Sequence, residues 1–173
     1  MGNKLYTECI DLSNKKLKKL PDLTKYTNLK ILKCSNNKLI ELSNLPNTLI
    51  ELYCNNNQLT ELTNLPNTLI KLYCNNNQLI ELYNLPELLK TLICSNNKLT
   101  KLNNLPNTLS DLNCSHNQLT KLSNLTNTLD YLNCSNNKLT KLATFDTTGG
   151  PVKAEEFSRM ILRWTLAENY FPQ

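Results

Sequence analysis

The chain has 173 residues, of which 37 are leucine and 29 asparagine, a bias that excludes an ordinary globular enzyme and leaves a low-complexity segment or an internal repeat. Hydrophobic residues make up 40% and are spread evenly, enough apolar surface to offset the entropy of ordering, so disorder is excluded too. The formal charge of +5 sits wholly in residues 1–48, where nine lysines face four acids; the remainder balances.

The opening segment gives no sign of export. It has no positively charged start followed by an apolar stretch and a cleavage site, and nowhere does an apolar run reach the roughly 18 residues of a spanning helix. Met1-Gly2-Asn3-Lys4-Leu5-Tyr6 matches a myristoylation site only at its glycine, because Tyr6 stands where Ser or Thr is required. The chain therefore reads as soluble and unexported.

Residues 1–28 read as an irregular first repeat. Ile10, Leu12, Leu17, Leu20 and Pro21 fall in the frame of the later units, with Leu12 in a cysteine slot and Lys15 in an asparagine slot, at an offset of 22. Residues 29–148 hold six regular units, measured by Cys34, Cys54, Cys74, Cys94, Cys114 and Cys134 at a constant spacing of 20. Each reads Leu-x-x-Leu-x-Cys-x-x-Asn-x-Leu-x-x-Leu-x-Asn-Leu-Pro-x-x, with the close decaying in the last units. In Leu52-Tyr53-Cys54, alternation puts Leu52 and Cys54 on one face and Glu51 and Tyr53 on the other, which predicts one short strand per coil. Coils stacked about 4.8 Å apart bury a continuous leucine column and form a parallel sheet, about 34 Å long for seven coils. The return segment, residues 60–66, is too short for a good helix and ends in proline, so extended chain or 3₁₀ turns are expected there.

Thr147-Thr148-Gly149-Gly150-Pro151 breaks the pattern. Phe157, Met160, Ile161 and Trp164 then recur at helical spacing, with Leu162 and Leu166 on a second side. Residues 149–173 are expected to form a C-terminal helix, either capping the last coil or offered to a partner.

The run Leu-x-x-Leu-x-Cys-x-x-Asn-x-Leu over residues 7–148 resembles the leucine-rich repeat, with cysteine in place of its third aliphatic residue. The short unit and its Leu-Pro close look like two groups: repeat proteins of giant amoeba-infecting DNA viruses, and bacterial secreted effectors. The phrases Leu-Pro-Asn-Thr-Leu and Cys-Asn-Asn-Asn-Gln-Leu, with the Asn and Lys bias, look more like the viral group. The resemblance implies an α/β repeat solenoid of low curvature, with its parallel sheet on the concave face and extended or 3₁₀ chain on the convex side. It also implies a ladder of Asn37, Asn57, Asn77, Asn97, Asn117 and Asn137, bonded to the backbone of their own and adjacent coils. Some effectors of this style attach a ligase domain with a nucleophilic cysteine; about 25 residues follow the repeats here and none is Cys, so that activity does not carry over.

Cys34 to Cys134 could be read as a metal or redox column. Metal sites, however, come as close pairs with His, and thiols on adjacent parallel strands lie about 4.8 Å apart against about 3.8 Å between disulfide Cβ atoms. A buried column of reduced thiols is the better reading, and it favours the cytoplasm. His116, the single histidine, takes a slot held by Asn in other coils and reads as a turn residue. No phosphate-binding glycine loop or cofactor fingerprint occurs, and no metal or cofactor is implied.

The remaining variable positions form two surfaces. On the sheet, Ile31, Glu51, Lys71, Thr91, Asp111 and Tyr131 form one column and Lys33, Tyr53, Tyr73, Ile93, Asn113 and Asn133 another. Their aromatic centre and charged rim suit a protein partner, although tyrosine and isoleucine are also simply good strand formers. On the opposite side, Glu41, Glu61 and Glu81 give way to Lys101, Lys121 and Lys141. Nucleic acid is disfavoured, because the lysines, including Lys15, Lys16, Lys18 and Lys19, form no single stripe interleaved with aromatics. The expectation is a non-enzymatic scaffold in the cytoplasm, that of the host if viral, monomeric alone, binding an unidentified protein by its concave face. A structural component that assembles through its ends or its C-terminal helix is the alternative. Asn113, Asn124 and Asn133 begin Asn-x-Ser/Thr sequences that would matter only on export.

Overall fold

A computed structural model describes residues 6–122, 125 and 128–139. Seven three-residue strands lie in chain order in one parallel sheet: β1 (Cys9–Asp11), β2 (Ile31–Lys33), β3 (Glu51–Tyr53), β4 (Lys71–Tyr73), β5 (Thr91–Ile93), β6 (Asp111–Asn113) and β7 (Tyr131–Asn133). From β2 onward the register advances by the repeat itself, Leu32 opposite Leu52 opposite Leu72. Between β1 and β2 the offset is 22, with Cys9 opposite Ile31.

The middle residue of each strand points inward. Leu32, Leu52, Leu72, Leu92 and Leu112 are fully buried, as are Cys34, Cys54, Cys74, Cys94 and Cys114 just beyond the strands. The core is thus a stack of identical layers, and no single coil could bury it alone. At the two ends the layers are less covered: Ile10, Leu12, Leu17 and Leu20 in the first coil, and Leu132, Cys134 and Leu139 in the last, are only partly buried.

Two sharp bends close each of the four coils between residues 29 and 108, and both require a left-handed backbone. Asn36, Asn56, Asn76, Asn96, His116 and Asn136 have φ between 53° and 57°, and Asn44, Asn64, Asn84 and Asn104 between 51° and 55°. Asparagine tolerates this region better than other residues with a Cβ, which explains much of the compositional bias. His116 holds the same conformation, so it is a turn residue. The first coil has its own left-handed bend at Asn14, φ 60°, and adds a second at Lys16, φ 57°.

Between the bends the chain is extended. No α- or 3₁₀-helix occurs among the described residues, so the α/β class expected from the sequence is there a β-solenoid. The 3₁₀ alternative is reduced to one turn per coil, in which the amide of Leu69, Leu89 or Leu109 donates to the carbonyl of Pro66, Pro86 or Pro106 at 3.0 Å. The reason is the second bend: Asn84, between Leu82 and Leu85, has φ 51°, which interrupts any right-handed helical run while both leucines still point into the core. The C-terminal helix, Trp164 and Lys141 lie outside the described residues.

A threonine clamp ties each descending bend to the coil before it. The hydroxyls of Thr48, Thr68, Thr108 and Thr128 donate to the carbonyls of Leu29, Leu49, Leu89 and Leu109 at 2.7–2.9 Å. In the remaining coil the slot is held by Leu88, which is 53% exposed. Leu88→Thr should restore the bond and raise stability by about 1 kcal/mol, the net worth of one such hydrogen bond, read as a higher urea midpoint at unchanged slope.

Candidate functional site

The outward positions of the strands build a surface of two columns. Parallel pairing places Ile31, Glu51, Lys71, Thr91, Asp111 and Tyr131 in one, and Lys33, Tyr53, Tyr73, Ile93, Asn113 and Asn133 in the other. Cys9 and Asp11 head the columns, a pair that the 22-residue offset would have revealed.

Five of the candidate residues form one connected group. Tyr53 and Tyr73 stack face to face, with centroids 4.6 Å apart and planes 7° from parallel. The Tyr53 hydroxyl donates to Glu51 Oε2 at 2.7 Å, Lys71 Nζ lies 2.9 Å from Glu51 Oε1, and Lys33 Nζ sits 5.9 Å from the Tyr53 ring centre. The bonds from Lys71 and then from Tyr53 hold the Glu51 carboxyl below its usual range. Partial burial, then the Glu51 contact, pushes the Tyr53 phenol up to about 12. Both groups thus keep their neutral-pH charge states, and the stacked pair is held rigid by its own neighbours. A platform whose side chains are already ordered loses little entropy on binding.

The other candidates stand apart from this group. Ile31 adjoins Glu51 and Ile93 adjoins Tyr73 by register, extending the platform by one coil each way. Asp111, bonded to the Ser110 hydroxyl at 2.6 Å, and Tyr131, 38% exposed, form a separate pair toward the other end. Sequence columns showed which residues are neighbours, but not that Glu51 bridges both a lysine and a tyrosine.

The asparagines inside the first bend are framework. Asn77 Nδ2 donates to the carbonyls of Cys54 and Cys74, each at 3.0 Å, and its Oδ1 accepts from the amide of Leu59 at 3.0 Å. Asn57, Asn97, Asn117 and Asn137 repeat this pattern. Asn37 accepts from the Leu17 amide in the same way and also from the Lys15 amide. Cys34, Cys54, Cys74, Cys94 and Cys114 are free thiols. Burial raises the Cys34 thiol to about 12, and burial followed by the neighbouring thiols raises Cys54, Cys74, Cys94 and Cys114 well above their ordinary value. They stay protonated, and a thiol that is not a thiolate is a poor nucleophile or metal ligand. Among the described residues no group of three or more His, Cys, Asp or Glu could hold a metal ion, and no helix is long and apolar enough to cross a membrane.

No family model matches the chain, and no curated protein matches it. Solved structures do. YopM from Yersinia enterocolitica WA-314 is 38% identical with a TM-score of 0.76, over 80% of this chain and 31% of that one. A Shigella effector leucine-rich repeat domain is 32% identical with a TM-score of 0.73, over 79% and 61%. The functional domain of InlJ from Listeria monocytogenes, which includes a cysteine ladder, is 35% identical with a TM-score of 0.67, over 82% and 32%. This chain therefore spans between about a third and three fifths of the length of those structures. With the repeat, the register and these neighbours together, the chain is a leucine-rich repeat protein built on a 20-residue coil, similar in fold to bacterial effectors.

Proposed function

We propose that this chain is a non-enzymatic scaffold that binds another protein through the outward face of its sheet, the face expected to be concave, centred on Tyr53 and Tyr73. The observation that carries the reading is the stacked pair held by Glu51, Lys71 and Lys33. An ordered aromatic centre with a charged surround is the arrangement of an interface hot spot. Similarity to effector repeat domains supports a protein partner. The free thiols support work in a reducing compartment, the cytoplasm of a host cell. A viral source is supported by the Leu-Pro-Asn-Thr-Leu phrases and the Asn and Lys bias, while the solved structures named above are bacterial. Lone His116 in a bend and a protonated thiol column support the absence of catalysis.

Tyr53→Ala with Tyr73→Ala should weaken capture of a host-cell protein by about a thousandfold, given about 2 kcal/mol for each aromatic anchor. Quantitative pull-down against the unaltered chain reads this, with matched urea melts to show that the solenoid survives. Capture that does not change would remove the sheet face from the function.

A further inference from the structure

The face opposite the sheet carries a pattern that the framework does not explain. Along it, Glu41, Glu61, Glu81, Lys101 and Lys121 are all exposed and follow one another coil by coil, about 4.8 Å apart. None makes an ion pair with another described residue. Three acids stacked on one half and lysines on the other is an unfavourable arrangement within one chain, since like charges on adjacent coils repel.

Where the sign changes, polarity also fails. Ile80 is 53% exposed and Tyr83 48% exposed, in slots that hold Thr60 and Thr100, and Thr63 and Asn103, in the flanking coils. Exposed Leu88, which breaks the threonine clamp, belongs to the same coil. Large apolar residues in slots that are polar in the flanking coils, left half exposed, mark a surface covered by something else.

We propose that a second copy of this chain covers it, in a two-fold dimer with the solenoids antiparallel and back to back. The column is self-complementary about one point only, midway between Glu81 and Lys101. A two-fold axis there sets Glu81 against Lys101 of the second copy and Glu61 against its Lys121, each pair formed twice, as an isologous interface requires. The same axis runs beside the apolar coil, and the exchange of sides brings Ile80 of each copy toward Tyr83 of the other. Ile40, also exposed, lies at the Glu41 end, where the facing residues of the second copy fall outside the described part. The dimer replaces the monomer expected from the sequence, and its two sheet faces point outward in opposite directions, so it is a bivalent scaffold. It does not depend on the sheet-face reading, since Tyr53 and Tyr73 lie on the other side.

Sedimentation equilibrium of the full chain in low salt should show a dimer. Ile80→Thr with Tyr83→Asn takes the residues of the next coil, so the fold should hold and dimerisation weaken by about tenfold or more. Glu61→Lys with Glu81→Lys, and separately Lys101→Glu with Lys121→Glu, should each give a monomer, and an equimolar mixture of the two should regain a dimer of one copy of each. A chain that stays monomeric, a dimer indifferent to these changes, or a mixture that stays monomeric would overturn the proposal.

Discussion

Above pH 9 the solenoid should lose stability steeply as pH rises, by up to about 7 kcal/mol per pH unit. The cause is the thiol column: burial raises Cys34 to about 12 and Cys54, Cys74, Cys94 and Cys114 well above the ordinary value, whereas in the unfolded chain each returns to about 8.5. Over this window the unfolded state binds fewer protons than the folded state, so stability falls as pH rises. The contribution of these groups is fully present below about pH 8.5 and is lost as pH climbs toward the folded values. Five thiols protonated when folded and ionised when unfolded, at about 1.4 kcal/mol each per unit, set that upper slope, which is large against a net stability of about 5–15 kcal/mol.

Urea melts in reductant from pH 7 to pH 10 would show a plateau followed by a steep fall. Replacing Cys54, Cys74 and Cys94 by alanine removes three of the five groups and should cut the slope to about 3 kcal/mol per unit, whatever it does to stability at pH 7. A slope that stays the same would mean that the thiols do not control alkaline unfolding. The column is thus a source of pH sensitivity rather than of chemistry, because the burial that makes each thiol part of the core also keeps it unreactive.

The regular part of the fold was legible because each layer repeats the same requirement. A cysteine every 20 residues with Leu two positions before it can only be a stacked strand, and the register of β2 to β7 follows that ruler residue by residue. The 22-residue offset placed Leu12 correctly, and the Leu17 amide meets Asn37 as the leucine of that slot meets the next asparagine in the coils from Leu39 to Leu119. The return segment was less legible, since proline excludes a helix without choosing between extended and 3₁₀ chain; the left-handed bend at Asn84, between buried Leu82 and Leu85, decides it. The recurrence of asparagine at 44, 64, 84 and 104 was visible, but its cause, a left-handed bend, is a backbone property that side-chain pattern does not state. On the sheet face, the columns gave the neighbours Tyr53 and Tyr73 but not the bridge through Glu51, because a side chain's choice between two partners depends on rotamers. The change of sign from Glu81 to Lys101 was equally plain, yet its companions Ile80 and Tyr83 gain meaning only once their exposure is known.

Asn77→Ala should cost about 4 kcal/mol, more than any surface change in the molecule. The substitution leaves the Leu59 amide without its partner, at about 1–3 kcal/mol for a buried polar group left unsatisfied, and takes one of two donors from each of the Cys54 and Cys74 carbonyls, which keep Asn57 and Asn97, at about 1 kcal/mol each. The Leu59 amide has no water to turn to, since Leu59 is wholly buried. Asn77→Asp separates the two functions of the side chain. Its oxygen can still accept from Leu59, but an ionised carboxylate offers no donor and faces the Cys54 and Cys74 carbonyls, which raises its folded pKa above the unfolded value of about 3.9. Stability of this variant should therefore be highest below pH 4, where the protonated group regains one donor, and should be lost as pH rises through the folded pKa. Urea melts at pH 3.5 and pH 7 read the difference, with Asn77→Ala as the reference that has no carboxyl to titrate. Because coils contact only their neighbours, the damage should centre on the junction of the third and fourth coils, and amide exchange should accelerate first at Leu59. An aspartate variant insensitive to pH, or an alanine variant as stable as the parent, would show that the asparagine is not what joins one coil to the next.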